Sequence, residues 1–193
     1  LCAGKNNLEF CQKKFKEAYN INYLGIKKIF NKSFKEGIFI IFISSNLVFS
    51  GNKKFNKITD KASPKSNYGK FKLKIENYLK KHNKKSFCIL RLTKIYSKDK
   101  GLIYNWKKKI KLKQKIYLNT SFKISPLPVE YILKYIFKII SKKISGIYHL
   151  SNKKEFTLKE FLYVKIGKYK NLVINNYPLI WRNKHNSLKI KLP

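Results

Sequence analysis

Residues 43–72, ISSNLVFSGNKKFNKITDKASPKSNYGKFK, decide how the rest of the chain is read. The stretch opens where residues 37–43, GIFIIFI, run out. A continuous run of β-branched and aromatic residues is the pattern of a strand covered on both faces in a parallel sheet. Ser44, Ser45 and Asn46 therefore fall just past a strand's carboxyl end, where open α/β sheets bind their ligands. Further on, Pro64, Ser66 and Asn67 stop a loop and offer capping side chains. They predict a helix reaching about His82, with Tyr68 near its amino end.

Tyr68 and Lys72 are four apart, so on that helix they share a face. An ammonium beside a phenol is expected to lower the phenol's pKa from about 10 and make it a usable acid or base near neutral pH. A serine hydroxyl could hold a substrate oxygen against the phenol. Together these groups suit carbonyl reduction or alcohol oxidation. The spacing alone carries little, because the chain has four such pairs: Tyr23/Lys27, Tyr68/Lys72, Tyr96/Lys100 and Tyr104/Lys108. Chance supplies roughly three in so lysine-rich a chain. Only Tyr68/Lys72 follows a strand ending in Ser-Ser and a Pro-x-x-x-Tyr-Gly helix start.

The 193 residues suffice for one ordinary core, and 44% hydrophobic with 15% aromatic content indicates a globular chain. The net charge of +36 is the unusual number. Arg91 and Arg182 are the only arginines among 45 basic residues, whereas a phosphate-reading protein would favour arginine's planar fork. Lys, Asn, Ile, Phe and Tyr are enriched together and share A/T-rich codons, so the charge is read as mutational bias. No RNA-binding module pattern is present. Cys2, Cys11 and Cys88 show no metal or redox spacing and predict reduced thiols in a cytoplasmic protein. The apolar runs are too short for a bilayer, and neither a membrane segment nor a signal peptide is expected.

Taken in order, residues 8–33 predict a loop and then a helix, with Tyr19, Tyr23, Ile26, Ile29 and Phe30 at helical spacing. Residues 50–67 read as a solvated loop carrying Asp60, and 86–92, SFCILRL, as a second buried strand. Residues 101–113 form a basic helix bearing Trp106, expected to pack its apolar stripe and solvate its lysines. Beyond Pro126 and Pro128 a helix is predicted whose core stripe is Val129, Ile132, Leu133, Ile136, Ile139 and Ile140. Residues 146–151, GIYHLS, return as a strand in which His149 packs rather than catalyses. Thr157 and Glu160 form a capping box for a last helix.

ISSNLVFSG, SPKSNYGKFKLKIENYL, FCILRLTKIYS and GIYHLS, in that order, resemble the extended short-chain dehydrogenase/reductases of the dTDP-4-dehydrorhamnose reductase type. The resemblance runs from about Cys2 to Leu188. It implies an α/β fold: part of a Rossmann-like, doubly wound parallel sheet with a small substrate-binding lobe. Residues 1–100 would be the carboxyl-terminal part of an NAD(P)-binding domain with its catalytic segment. Residues 101–193 would form the lobe, with 128–150 returning to the sheet. The catalytic set carried over is Ser45, Tyr68 and Lys72. Cofactor contacts are Ala3, Gly4, Asn6, Tyr68 and Lys72, with Asn6 standing where the family often has Thr. Substrate contacts are Ser45, Asn46 and Lys94. Asn22 and Gly25 match an Asn-x-x-Gly whose asparagine helps to organise the site, and Arg91 matches a Leu-Arg signature.

The resemblance further implies NAD(P)H as cofactor and a nucleotide-sugar as substrate, and allows a homodimer; from the residues themselves no metal-ligand cluster is visible, and neither a specific nucleic acid nor a membrane is expected as partner. No Gly-x-x-Gly-x-x-Gly loop occurs, so roughly 60 residues of a parent protein are expected to precede this chain, judged from the usual length of a βαβ unit. The chain as given is expected to bind a dinucleotide poorly. Lys94 stands where the family often has a tryptophan, and Pro126-Leu127 lacks the family's Asp-Gln partner. Residues 182–192, RNKHNSLKIKL, resemble the family's closing Arg-Pro-x-Asn-Ser-x-Leu segment. Sugar epimerisation or dehydration is the alternative chemistry on this fold, but it calls for an acid beside the serine, where Asn46 and Leu47 offer none. A non-catalytic regulatory subunit and a basic RNA-binding protein remain open as other classes.

Overall fold

The computed structural model describes Leu1 and residues 4–175 and 183–193. The elements in order are α1 (Leu8–Lys13), α2 (Phe15–Tyr19), a π-helical turn at Asn20–Gly25, α3 (Ile26–Lys35), β1 (Ile40–Ser45), α4 (Asn67–Leu79) and β2 (Phe87–Leu92). There follow β3 (Ile95–Tyr96), α5 (Leu102–Lys111), β4 (Ile116–Asn119), β5 (Leu127–Pro128), α6 (Val129–Lys142), β6 (Gly146–Leu150), α7 (Leu158–Ile166) and β7 (Leu172–Asn175).

The main sheet is parallel in the order β1-β2-β6. Ile40 pairs with Phe87 and Ser45 with Leu92, while Leu92 pairs with Leu150. That register brings the carboxyl ends of all three strands to one level. Leu1 runs beside β1, its amino group donating to the Ile41 carbonyl. One face is sealed by α3 and α4 through Ile26, Phe30, Ile75 and Leu79 packed on Phe42 and Ile89. The other is sealed by α6, whose Ile132 and Ile139 meet Cys88 and Leu90. Double coverage is why β2 is buried at every residue and reads as an apolar run interrupted by Arg91. A separate apolar cluster joins α5, α7 and the parallel β4–β7 pair around Trp106, Ile116, Leu118 and Phe161.

Three details differ from the sequence expectations. The first strand occupies Ile40–Ser45 rather than 37–43, because Gly37 at φ +66° belongs to the turn that ends α3. The helix expected within 8–33 is broken at Lys14 and again by the π turn, and Ile29 is 46% exposed. On α6, Leu133 and Ile140 are 43% and 56% exposed instead of joining the core. They lie about 100° round the helix from Ile132 and Ile139, which take the sheet-facing line. The capping box on α7 is present, with Thr157 Oγ accepting from the Glu160 N–H and the Glu160 carboxylate accepting from the Thr157 N–H.

Candidate active site

The carboxyl ends of β1 and β2 open into a cavity of about 610 Å³. Its wall includes Gly4, Asn6, Ser45, Asn46, Tyr68, Lys72 and Lys94, seven residues proposed from sequence. Ala3, the remaining one, lies outside the described residues, as do Cys2 and Arg182.

The catalytic segment is assembled locally. Ser66 caps α4, its Oγ accepting from the Gly69 N–H at 3.1 Å. That cap starts the helix one residue before Tyr68. Gly69 then lets α4 abut the turn after β1: a Cβ there would lie 2.1 Å from the Leu47 carbonyl oxygen and 2.9 Å from Pro64 Cβ. No larger residue fits between the two backbones. The glycine in Tyr68-Gly69 thus keeps the first turn of α4 tight against the turn that follows Ser45.

The tandem serines, equivalent in the sequence, separate in the structure. Ser44 faces α4 and donates to buried Glu76 Oε1 at 2.6 Å. Ser45 is half-buried at the cavity wall, where its Oγ accepts from the Leu47 N–H at 3.1 Å. Alternation along the strand therefore commits one hydroxyl to the core and leaves the other at the cavity.

Lys72 is only 7% exposed. Its Nζ donates to the Ile43 carbonyl at 2.8 Å and lies 4.7 Å from the Phe42 ring centroid and 5.5 Å from that of Tyr68. A carbonyl and two aromatic faces offset part of the cost of burying the ammonium. The expected lowering of the phenol's pKa is not found. Burial pushes Tyr68 up from 10 to about 12, with a smaller contribution from neighbouring Cys11. Desolvation of the phenolate prevails because the ammonium's bond goes to Ile43 rather than to the phenol oxygen. Tyr68 consequently keeps its proton at neutral pH and can donate it.

On the amino-terminal side, Asn22 clamps the loop between Gly4 and Asn6. Its Oδ1 accepts from the Lys5 N–H at 2.8 Å and its Nδ2 donates to the Lys5 carbonyl at 3.1 Å. Asn22 is 1% exposed and sits in the π turn, a distortion that recurs at functional sites. Lys94 stands exposed at the rim, its carbonyl accepting from the Leu127 N–H at 2.8 Å.

Behind the cavity lies a buried polar network. Arg91 and Glu76 form a two-pronged ion pair, Nε to Oε1 at 3.0 Å and Nη2 to Oε2 at 2.6 Å. Arg91 Nη1 meets His149 Nε2 at 3.2 Å, and His149 Nδ1 meets the Lys189 carbonyl at 3.2 Å. The guanidinium can only donate, so Nε2 accepts and Nδ1 carries the proton. Burial and the Arg91 charge lower the His149 pKa to about 4, leaving the imidazole neutral.

Sequence reading missed the far wall. Thr93, Phe122, Ile124 and Asn186 also line the cavity. The only signal for Asn186 was the resemblance of residues 182–192 to a closing segment. Among the described residues no cluster of His, Cys, Asp and Glu could hold a metal ion, and no helix is long and apolar enough to cross a membrane.

A parallel sheet helix-covered on both faces, with polar residues converging at the strands' carboxyl ends, defines a Rossmann-like α/β protein. Within that class the chain belongs to the RmlD substrate binding domain family, which matches residues 2–168, among the short-chain dehydrogenase/reductase-like proteins. Its fold is similar to that of a dTDP-4-dehydrorhamnose reductase from Clostridium acetobutylicum, with TM-score 0.83, 23% identity, and coverage of 97% of this chain and 69% of that one. The Bacillus anthracis dTDP-4-dehydrorhamnose reductase, solved in complex with NADP, gives TM-score 0.87, 22% identity, and coverage of 98% and 70%. A Thermotoga maritima UDP-glucose 4-epimerase, solved with UDP-glucose, gives TM-score 0.83, 17% identity, and coverage of 97% and 66%. At such identities the likeness is one of fold. No curated protein matches the chain.

Proposed function

We propose that the protein is an NAD(P)H-dependent reductase of a nucleotide-linked keto sugar. The observation that carries this reading is the convergence of Ser45, Tyr68 and Lys72 on one cavity, with the phenol held in its protonated form. A carbonyl oxygen placed between Ser45 and Tyr68 would accept hydrogen bonds from both hydroxyls. As negative charge develops on that oxygen, the Tyr68 O–H bond breaks and a new O–H bond forms on the substrate. A phenol near 12 is a weak acid in water, yet it is still more acidic than the alcohol it would create, so the transfer runs downhill. The phenolate left behind regains its proton from solvent, while Lys72, held at the Ile43 carbonyl, is placed for the cofactor.

A nicotinamide dinucleotide would supply hydride to the carbonyl carbon and leave oxidised. The residues that fit it are Lys72 for the ribose hydroxyls and the Gly4–Asn6 loop, which Asn22 holds on the same cavity wall as Tyr68. Epimerisation or dehydration is disfavoured because Asn46 and Leu47 place no acid beside Ser45. The test is turnover of dTDP-4-dehydro-6-deoxy sugars and their UDP counterparts by the full-length protein, followed as loss of reduced nicotinamide absorbance with product analysis. Stoichiometric conversion of keto sugar to alcohol supports the proposal. Sugar interconversion without net nicotinamide oxidation would replace it with the epimerase reading, and binding without turnover with the regulatory-subunit reading.

A further inference from the structure

We infer that Asn186 is a positioning residue of this cavity: it fixes the amide of Asn46 and, through that amide, the direction of the Ser45 hydroxyl. The inference rests on the reading of Ser45 as the partner of the substrate oxygen. Asn186 belongs to a strap, residues 183–188, that crosses from the lobe to the end of β1. The strap is anchored on both sides. Glu155 receives the Asn186 backbone N–H on Oε1 at 3.0 Å and His185 Nδ1 on Oε2 at 2.9 Å. Toward the sheet, Asn183 Nδ2 donates to the Phe49 carbonyl at 2.9 Å and the His185 N–H to the Gly51 carbonyl at 3.0 Å. Contact there is so close that a Cβ on Gly51 would lie 2.3 Å from Asn183 Cβ.

The side-chain hydrogen bonds determine which way each amide points. Asn186 Nδ2 donates to two backbone carbonyls, Lys123 at 2.7 Å and Asn183 at 3.1 Å. Carbonyls only accept, so the nitrogen must face them and Oδ1 must face Asn46. An acceptor there requires a donor, and Asn46 Nδ2 supplies it at 2.9 Å. With its nitrogen so engaged, Asn46 turns Oδ1 toward Ser45 Oγ, 3.4 Å away. That long contact biases the hydroxyl without holding it, so an incoming carbonyl oxygen can take the bond over. Asn46 is 7% exposed, and the contact therefore forms in a poorly solvated place.

One consequence separates this arrangement from a loop that merely ties two parts together. A carboxylate at position 46 would set a negative oxygen against Asn186 Oδ1, two acceptors with no proton between them. Only the protonated acid would satisfy the pair.

The test is Asn46→Asp, alone and with Asn186→Ala, read by carbon-13 NMR titration of aspartate carboxyls. The natural chain has only Asp60 and Asp99, so the new signal is easily assigned. In Asn46→Asp the introduced carboxyl should titrate well above the ordinary aspartate value of about 3.9. Adding Asn186→Ala should bring it down by about one unit, a tenfold change in the proton equilibrium. An unchanged titration between the two would overturn the inference. Should the double variant not fold, kcat/KM of Asn46→Asp against pH decides instead: it should fall as the new carboxyl ionises while the natural protein stays level, and parallel profiles would overturn the inference. The NMR result needs no turnover, so it stands or fails separately from the reductase reading.

Discussion

One wall of the cavity comes from the short stretch between Ser45 and Lys72, and the other from segments up to 140 residues away in sequence from their partners. The near wall is built by local rules: a strand end, a capped helix and a glycine at the point of contact. The far wall is built by a strap and a lobe whose groups find one another only after the chain has folded. Local spacing can place a tyrosine and a lysine on one helix face. It cannot say that Asn186 will meet Asn46, or that Ser44 and Ser45 will part company.

The largest effect on stability should come from the buried pair behind the near wall. Replacing Glu76 by Leu leaves Arg91, itself 2% exposed, without its carboxylate and frees the Ser44 hydroxyl. A loss of about 3–5 kcal/mol is expected in urea unfolding. A loss under about 1 kcal/mol would mean that Ser44 and His149 hold the strands together without the ion pair.

A pH titration probes where the two walls meet, since His149 bridges Arg91 and the Lys189 carbonyl. Its pKa is lowered to about 4 in the folded protein, whereas the unfolded chain takes up a proton near 6.5. The unfolded state therefore binds more protons in that interval, and stability falls as pH drops from 6.5 toward 4. The full loss is on the order of 3 kcal/mol, and His149→Gln should flatten this part of the profile.

Gly69→Ala tests the local contact that brings α4 against the turn after Ser45. The added methyl meets a backbone carbonyl, so about 1–3 kcal/mol should be lost together with a lowered kcat. Thr157→Ala, at the start of α7 with its side chain engaged in the cap, should cost only about 1 kcal/mol and leave kcat unchanged. Equal effects of these two on kcat would dissolve the distinction between the walls.

What the sequence revealed follows the same division. β2 was legible as a nearly continuous run of apolar residues, and α4 through its proline- and serine-marked start. Ser45, Tyr68 and Lys72 stood out through order and context rather than through the Tyr-x-x-x-Lys spacing, which the chain repeats. Two features were not legible. The direction of the Tyr68 pKa depends on burial and on the carbonyl that engages Lys72, neither of which spacing encodes. The exposure of Leu133 and Ile140 depends on how much sheet α6 has to cover, so an apolar stripe alone overstated the core.

The most direct test is turnover of a nucleotide-linked keto sugar by the full-length protein carrying Tyr68→Phe beside the natural full-length protein. The ring and its packing are retained, and only the proton donor is removed. A fall in kcat of about 10²–10⁴-fold with an unchanged melting curve is the predicted result. Turnover within about threefold of the natural protein, a barrier change under about 1 kcal/mol, would contradict the assignment of Tyr68 as the acid.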